Sequence, residues 1–206
     1  MNIFRSAAER RGTPADLLVV GLGNPGIDYA RTRHNAGADC MAVLAARSGA
    51  SLSLSKKEHA EVAEVRPEPT RRRLVVAVPT TFYNGAGAAA SALVKRHGIT
   101  DAASVVVVHD ELDLPVGRIK VKVGGGLAGN NGLKSMRDHL GTTDFIRIRI
   151  GVDKPPNSQS GADHVLRRPS KREREDLDVA IEEAADAVEL ILADGVDRAM
   201  ERYNRR

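Results

Sequence analysis

The sequence predicts an α/β fold: a single domain whose mixed β-sheet is flanked by helices and followed by a C-terminal helix. Three observations carry this reading. Short continuous apolar runs at Leu17 to Val20, Leu74 to Val78 and Val105 to Val108 have the form of strands buried on both faces. Alternating with them, Ala36 to Arg47 and Gly85 to His97 carry apolar residues at helical spacing, each with a glycine close behind. Later in the chain, two segments alternate basic and β-branched residues with period two.

In chain order, residues 1–15 read as a polar, flexible N-terminal extension and 16–206 as the folded domain. The first strand, Leu17 to Val20, runs into a Gly-rich turn, and the helix from Ala36 stops before Gly49. Pro79 ends the second strand, and Gly98 is the C-terminal stop of the second helix. Four successive valines, Val105 to Val108, suit a central strand. Arg118 to Val123 and Phe145 to Ile150 each have one apolar and one cationic face, and Asn131 to Leu140 between them fits a short helix. Asp153 to Asp163 is a Pro/Ser/Gly loop. A long amphipathic helix starts after Ser170, an N-cap with Glu173 as its capping-box partner, and reaches about Ala193. A short final helix holds Arg198 to Tyr203.

Composition narrows the function classes. A hydrophobic fraction of 42% supports a core, but aromatics are 3% and Trp is absent, so Val, Leu, Ile and Ala must build it. The net charge of +4 suits a polyanionic partner such as nucleic acid. Cys40 is the single cysteine, which excludes an intrachain disulfide. No run approaches the ~20 apolar residues of a membrane span, and the first residues lack the apolar segment of a secretory signal. These features predict a cytoplasmic protein without membrane association.

Five segments carry candidate chemistry. Gly21-Leu22-Gly23-Asn24-Pro25-Gly26 formally matches a dinucleotide loop. However, Pro25 sits in the turn, the helical pattern starts only near Ala36, and no acidic residue stands where a ribose ligand is needed. The turn instead displays Asn24 at the carboxyl end of a strand, where open α/β sheets bind ligands. His34 precedes a helix, and His109-Asp110-Glu111-Leu112-Asp113 follows the valine strand. A metal site of His109, Asp110 and Asp113 would lack its remaining ligands, so neither metal nor other cofactor is expected. Pro79 to Asn84 brings another amide to a strand end, and the Gly124 to Gly132 segment lacks the Lys-Ser/Thr of a phosphate loop. Ester hydrolysis needs a base for water, a group to orient it and donors for the oxyanion. His34, Asp110 and the Asn24 and Asn84 amides can fill these roles, with Lys120, Lys122 and Arg149 forming a phosphate-binding face beside them.

With these segments in order, VVGLGNPGIDYARTRHNAG, VPTTFYNGAG, VVVHDELDLPVGRIKVKVGGG and GNNGLKSMRDHLGTTDFIRIRIGV, the chain resembles the bacterial-type peptidyl-tRNA hydrolases from Leu17 to about Tyr203. The resemblance implies a monomeric enzyme that cleaves the ester between a peptide and the 3′ end of tRNA. It puts His34 on the catalytic base and Asp110 on the residue that holds that base. Asn24 falls on the position that helps distinguish blocked from free aminoacyl ends. Tyr29, Phe82, Asn84 and Asn131 fall on contacts to the peptidyl-tRNA end, and Lys120, Lys122 and Arg149 on the patch for acceptor-stem phosphates. Three positions depart from the family pattern: Asn130 replaces a usual His, Tyr83 a usual Met, and Leu127 a smaller or polar residue. Residues 1–15 have no counterpart. The alternative reading is a catalytically weak or inactive RNA-binding homologue, for which Asn130 is the best support.

Overall fold

Strands β1 (Leu17–Gly21), β2 (Ser53–Ser55), β3 (Ala60–Val65), β4 (Leu74–Pro79), β5 (Val105–Glu111), β6 (Ile119–Val123) and β7 (Ile146–Gly151) form one sheet in the order β2-β3-β4-β1-β5-β7-β6. This is a computed structural model that describes residues 3–8, 13–155 and 160–205. Strands β4, β1, β5 and β7 are parallel, and β2, β3 and β6 add antiparallel edges. The helices are α1 (Ile3–Ala8), α2 (Ala36–Arg47), α3 (Ala86–His97), α4 (Asn131–Leu140), α5 (Gly161–Val165), α6 (Lys171–Asp194) and α7 (Val196–Asn204). The mixed sheet flanked by helices is the architecture the sequence predicts.

The apolar runs are continuous because the central strands are covered on both sides. Val19, Val76, Val106 and Val108 pack with α2 and α6, whereas Leu18, Val20, Val75 and Val107 pack with α1, α3 and α4. Ser170 and Glu173 form the predicted capping box at the start of α6. Because β1 lies between β4 and β5 with all three parallel, their carboxyl ends open on the same crevice.

Several elements differ from the sequence reading. Within the segment expected to be a flexible extension, Ile3–Ala8 is helical, and Phe4 and Ala7, one turn apart, are buried in the second core. Residues 1, 2 and 9–12 lie outside the described part. The edge hairpin β2–β3 was not anticipated, because Ala60–Val65 reads AEVAEV, a composition that favours helix over strand. In the Pro/Ser/Gly segment, residues 156–159 lie outside the described part, and its end forms α5, with the Ser160 hydroxyl accepting from the Asp163 N–H at 3.1 Å.

The cationic sheet face also needs correction. Arg147 is buried and donates to the carbonyls of Gly126, at 2.9 Å, and Gly124. Arg149 donates through Nε to Glu111 Oε2 at 2.9 Å. Both cations of β7 are thus engaged within the protein, leaving Lys120 half-buried and Lys122 exposed on β6. The outer side of that edge strand is met by Asn204, whose Oδ1 accepts from the Val121 N–H at 2.9 Å and whose Nδ2 donates to the Val121 carbonyl at 2.8 Å.

Candidate active site

The crevice at the strand ends is a cleft of about 900 Å³ whose lining includes Asn24, His34, Phe82, Asn84, Asp110 and Asn131. Its placement follows from close backbone packing. A Cβ added to Gly37 would lie 2.3 Å from the Val108 carbonyl and 2.7 Å from the Leu22 N–H nitrogen. Only glycine lets the first turn of α2 sit this close to the ends of β1 and β5, which brings the preceding 3-10 turn, Arg33–Asn35, to the cleft.

Within that turn the three side chains have separate tasks. Arg33 points away from the cleft, donating to Glu173 Oε1 at 2.7 Å and to the carbonyls of His164 at 3.3 Å and Arg167 at 3.1 Å. It thereby ties the turn to the segment between α5 and α6. Asn35 grips the β1–α2 turn: its Oδ1 accepts from the Asn24 N–H and its Nδ2 donates to the Asn24 carbonyl, both at 2.9 Å. Between them, His34 Nδ1 is 3.0 Å from each carboxylate oxygen of Asp110. A carboxylate only accepts, so Nδ1 carries the proton and Nε2 keeps its lone pair for the cleft.

Asp110 is buried, with its side chain 4% exposed. It also accepts from the Tyr83 hydroxyl at 2.8 Å, and Asn130 Nδ2 donates to that hydroxyl at 3.1 Å. The Tyr83 ring stacks on His34 with centroids 3.6 Å apart and planes 16° apart. Burial, reinforced by the Asp110 carboxylate, pushes the Tyr83 phenol well above its ordinary pKa, so it remains a donor. Asn24 offers its Oδ1 to the Tyr83 N–H at 2.8 Å.

The components of a metal site are not assembled at the HDELD segment. His109 is buried with Nδ1 on the Asp110 carbonyl at 2.7 Å, and burial lowers its pKa. Asp113 pairs with Lys154 at 2.7 Å, and that ammonium lowers the carboxyl's pKa. No group of three or more His, Cys, Asp or Glu side chains that could hold a metal forms among the described residues. Cys40 is buried in the core, and burial pushes its thiol pKa far up, which suits packing rather than nucleophilic chemistry.

The sequence model of the peptidyl-tRNA hydrolase family matches residues 18–206. This chain belongs to that family. It is 45% identical to the peptidyl-tRNA hydrolase of Rhodococcus erythropolis over 187 residues, covering 91% of this chain and 97% of that protein. The peptidyl-tRNA hydrolase of Frankia alni is 46% identical, with 91% and 93% covered. The crystal structure of peptidyl-tRNA hydrolase from Acinetobacter baumannii superposes with a TM-score of 0.85 at 33% identity, covering 95% of this chain and 97% of that one.

In this peptidyl-tRNA hydrolase-family chain, the residues singled out from sequence do not all meet. Asn24, His34, Phe82, Asn84, Asp110 and Asn131 line one cleft, with Phe82 exposed at its rim. Tyr29 stands behind that rim, its ring edge-on to Phe82 at 6.3 Å. Lys120, Lys122 and Arg149 lie on β6 and β7 and are not part of the cleft lining. The sequence reading missed Tyr83 as a site residue. Its signal was present as a departure from the family pattern, but its contacts to Asp110 and Asn130 span 27 and 47 residues.

Proposed function

We propose that this chain hydrolyses the ester joining a peptide, or an N-blocked aminoacyl group, to the 3′ end of tRNA. The observation that carries the reading is the His34–Asp110 pair at the base of the cleft, with Nδ1 held and Nε2 left for the cleft. His34 Nε2 takes a proton from water as the oxygen attacks the ester carbonyl. Asp110 fixes the tautomer and stabilises the imidazolium that forms. The Asn24 NH₂, with Asn84 beside the same cleft, donates to the developing oxyanion. Collapse of the tetrahedral intermediate expels the ribose oxygen, which takes up the proton held on Nε2, and frees the peptide acid. A ribose hydroxyl leaves more readily than an amine, so no covalent nucleophile is required.

Phe82, Tyr29 and Asn131 would receive the peptidyl end. Lys120 and Lys122 would meet acceptor-stem phosphates. Arg149, already shared with Glu111, would contribute less. The enzyme would act as a monomer in the cytoplasm, without metal or dinucleotide.

Purified protein incubated with N-acetyl-aminoacyl-tRNA should release the N-acetyl amino acid. His34→Ala should lose roughly 10²–10⁴-fold in turnover while retaining tRNA binding. Wild-type turnover in His34→Ala would remove His34 as the base. A folded wild type that binds tRNA and cleaves nothing would make the chain a binding homologue.

A further inference from the structure

We infer that Tyr83 is a positioning residue for the His34–Asp110 pair, and that Asn130 acts with it through one directed chain of hydrogen bonds. The inference rests on the reading of His34 as the general base. An amide nitrogen only donates and an ionised carboxylate only accepts. The order is therefore fixed: Asn130 Nδ2–H to Tyr83 Oη at 3.1 Å, then Tyr83 O–H to Asp110 Oδ1 at 2.8 Å. Asp110 in turn accepts the Nδ1–H of His34 at 3.0 Å.

Tyr83 reaches three parts of the site through three different groups. Its hydroxyl restrains the carboxylate, its ring covers the His34 imidazole, and its backbone N–H holds Asn24 Oδ1. The ring is held by α4 as well. A Cβ on Gly132 would lie 2.4 Å from Tyr83 Cε1, so α4 presses its bare backbone against the phenol. Asn130 is equally committed: its Oδ1 caps α4 by accepting from the Leu133 N–H at 3.0 Å while its Nδ2 faces Tyr83. The two departures from the family pattern at the site, Tyr83 and Asn130, are thus bonded to each other. The amide at position 130 supports a phenol, where an imidazole paired with methionine could not form this chain.

The chemical effect is on the placement of the pair: with Asp110 Oδ1 held by the phenol, the carboxylate keeps the His34 ring oriented with Nδ1–H bound and Nε2 toward the cleft. The other charged groups near His34 are already paired. Arg33 turns to Glu173, Asp39 on α2 to Arg174, Glu111 on β5 to Arg149, and Asp113 to Lys154. On α5, His164 is tied through Nε2 to the Val152 carbonyl.

The test compares four variants for kcat and KM with N-acetyl-aminoacyl-tRNA. Tyr83→Phe keeps the ring and removes the donor. It should lower kcat about tenfold and leave KM within about twofold, the split expected of a positioning residue. Asn130→Ser keeps a helix cap but cannot reach the phenol. It should lower kcat by a smaller amount, about threefold, again with KM nearly unchanged. The double variant should be no more than about twofold worse than Tyr83→Phe alone, because one chain is already cut. His34→Ala, measured alongside, reports separately on the underlying reading. If His34→Ala is inactive while Tyr83→Phe keeps wild-type kcat, the positioning role is overturned. If the two single losses multiply in the double variant, Asn130 is not part of the chain. Should Tyr83→Phe fail to fold, Asn130→Ser decides alone: an unchanged kcat in it overturns the inference.

Discussion

The backbone N–H of Tyr83 donates to the side-chain oxygen of Asn24 at 2.8 Å, across 59 residues of sequence. This single contact decides which end of the Asn24 amide faces the cleft. With the oxygen committed, only the NH₂ remains to donate into the cleft. The oxyanion role proposed for Asn24 requires that polarity.

Asn24→Asp therefore separates position from polarity. The carboxylate can still accept the Tyr83 N–H, but it presents an oxygen where the NH₂ stood. Turnover of N-acetyl-aminoacyl-tRNA should fall roughly 10²-fold with the melting temperature nearly unchanged. Retained kcat in a stable Asn24→Asp protein would assign the oxyanion to another donor.

Arg33 and Glu173 give a pH dependence to stability. Burial acts to raise the Glu173 carboxyl, but hydrogen bonds from Arg33 and Ser170 outweigh it and hold its pKa below the ordinary value. A depressed carboxyl adds stability that is present above the unfolded-state pKa, about 4.3, and is lost as pH falls through the lower folded value. Denaturant melts of wild type should lose stability below about pH 4, and Glu173→Gln should flatten that part of the curve. Arg33→Met removes the buried guanidinium and orphans two carbonyls. It should cost about 2–3 kcal/mol at neutral pH. An identical acid limb in wild type and Glu173→Gln would show that other carboxylates set it.

Lys120 and Lys122 provide a test of the proposed tRNA surface that is independent of catalysis. Each lost phosphate contact should reduce the log–log salt dependence of tRNA binding by roughly one unit or slightly less. Replacing both with Ala should thus flatten the slope by nearly two units, while Arg149→Ala should change it less because Glu111 already shares that charge. Titrations at several salt concentrations measure this. A slope unaffected by the double replacement would move the phosphate contacts elsewhere.

Residues whose role is local or periodic were legible in the sequence. The valines of β5 are apolar on both faces because both faces are covered, and Ser170 with Glu173 marks a helix start within four residues. That His34 and Asp110 reach one cleft was legible because each sits at the carboxyl end of a strand or just before a helix. What stayed hidden depends on tertiary neighbours. Arg147 looks identical to Arg149 in the alternating pattern, yet the carbonyls of Gly124 and Gly126 fold over it and bury it. Strand β3 contains Glu61 and Glu64, residues that favour helix in isolation, and its pairing with β2 and β4 makes it extended. Helix α1 is too short to form alone and exists because Phe4 and Ala7 have a core to enter. Tyr83 stood out only as a departure from the family pattern, and nothing in its local sequence points to Asp110, 27 residues away.

Asn204, set against β6, has a consequence for how copies of the protein treat one another. A strand at the rim of a sheet is a template: its vacant N–H and C=O groups invite the backbone of a neighbouring molecule. By filling both groups of Val121, the Asn204 amide stands in for one residue of an eighth strand and then stops, because a side chain cannot propagate a ladder. The tail of α7 thus closes the rim to polymerisation at its midpoint. Lys120 and Lys122, on either side of that seal, add mutual repulsion between identical rims.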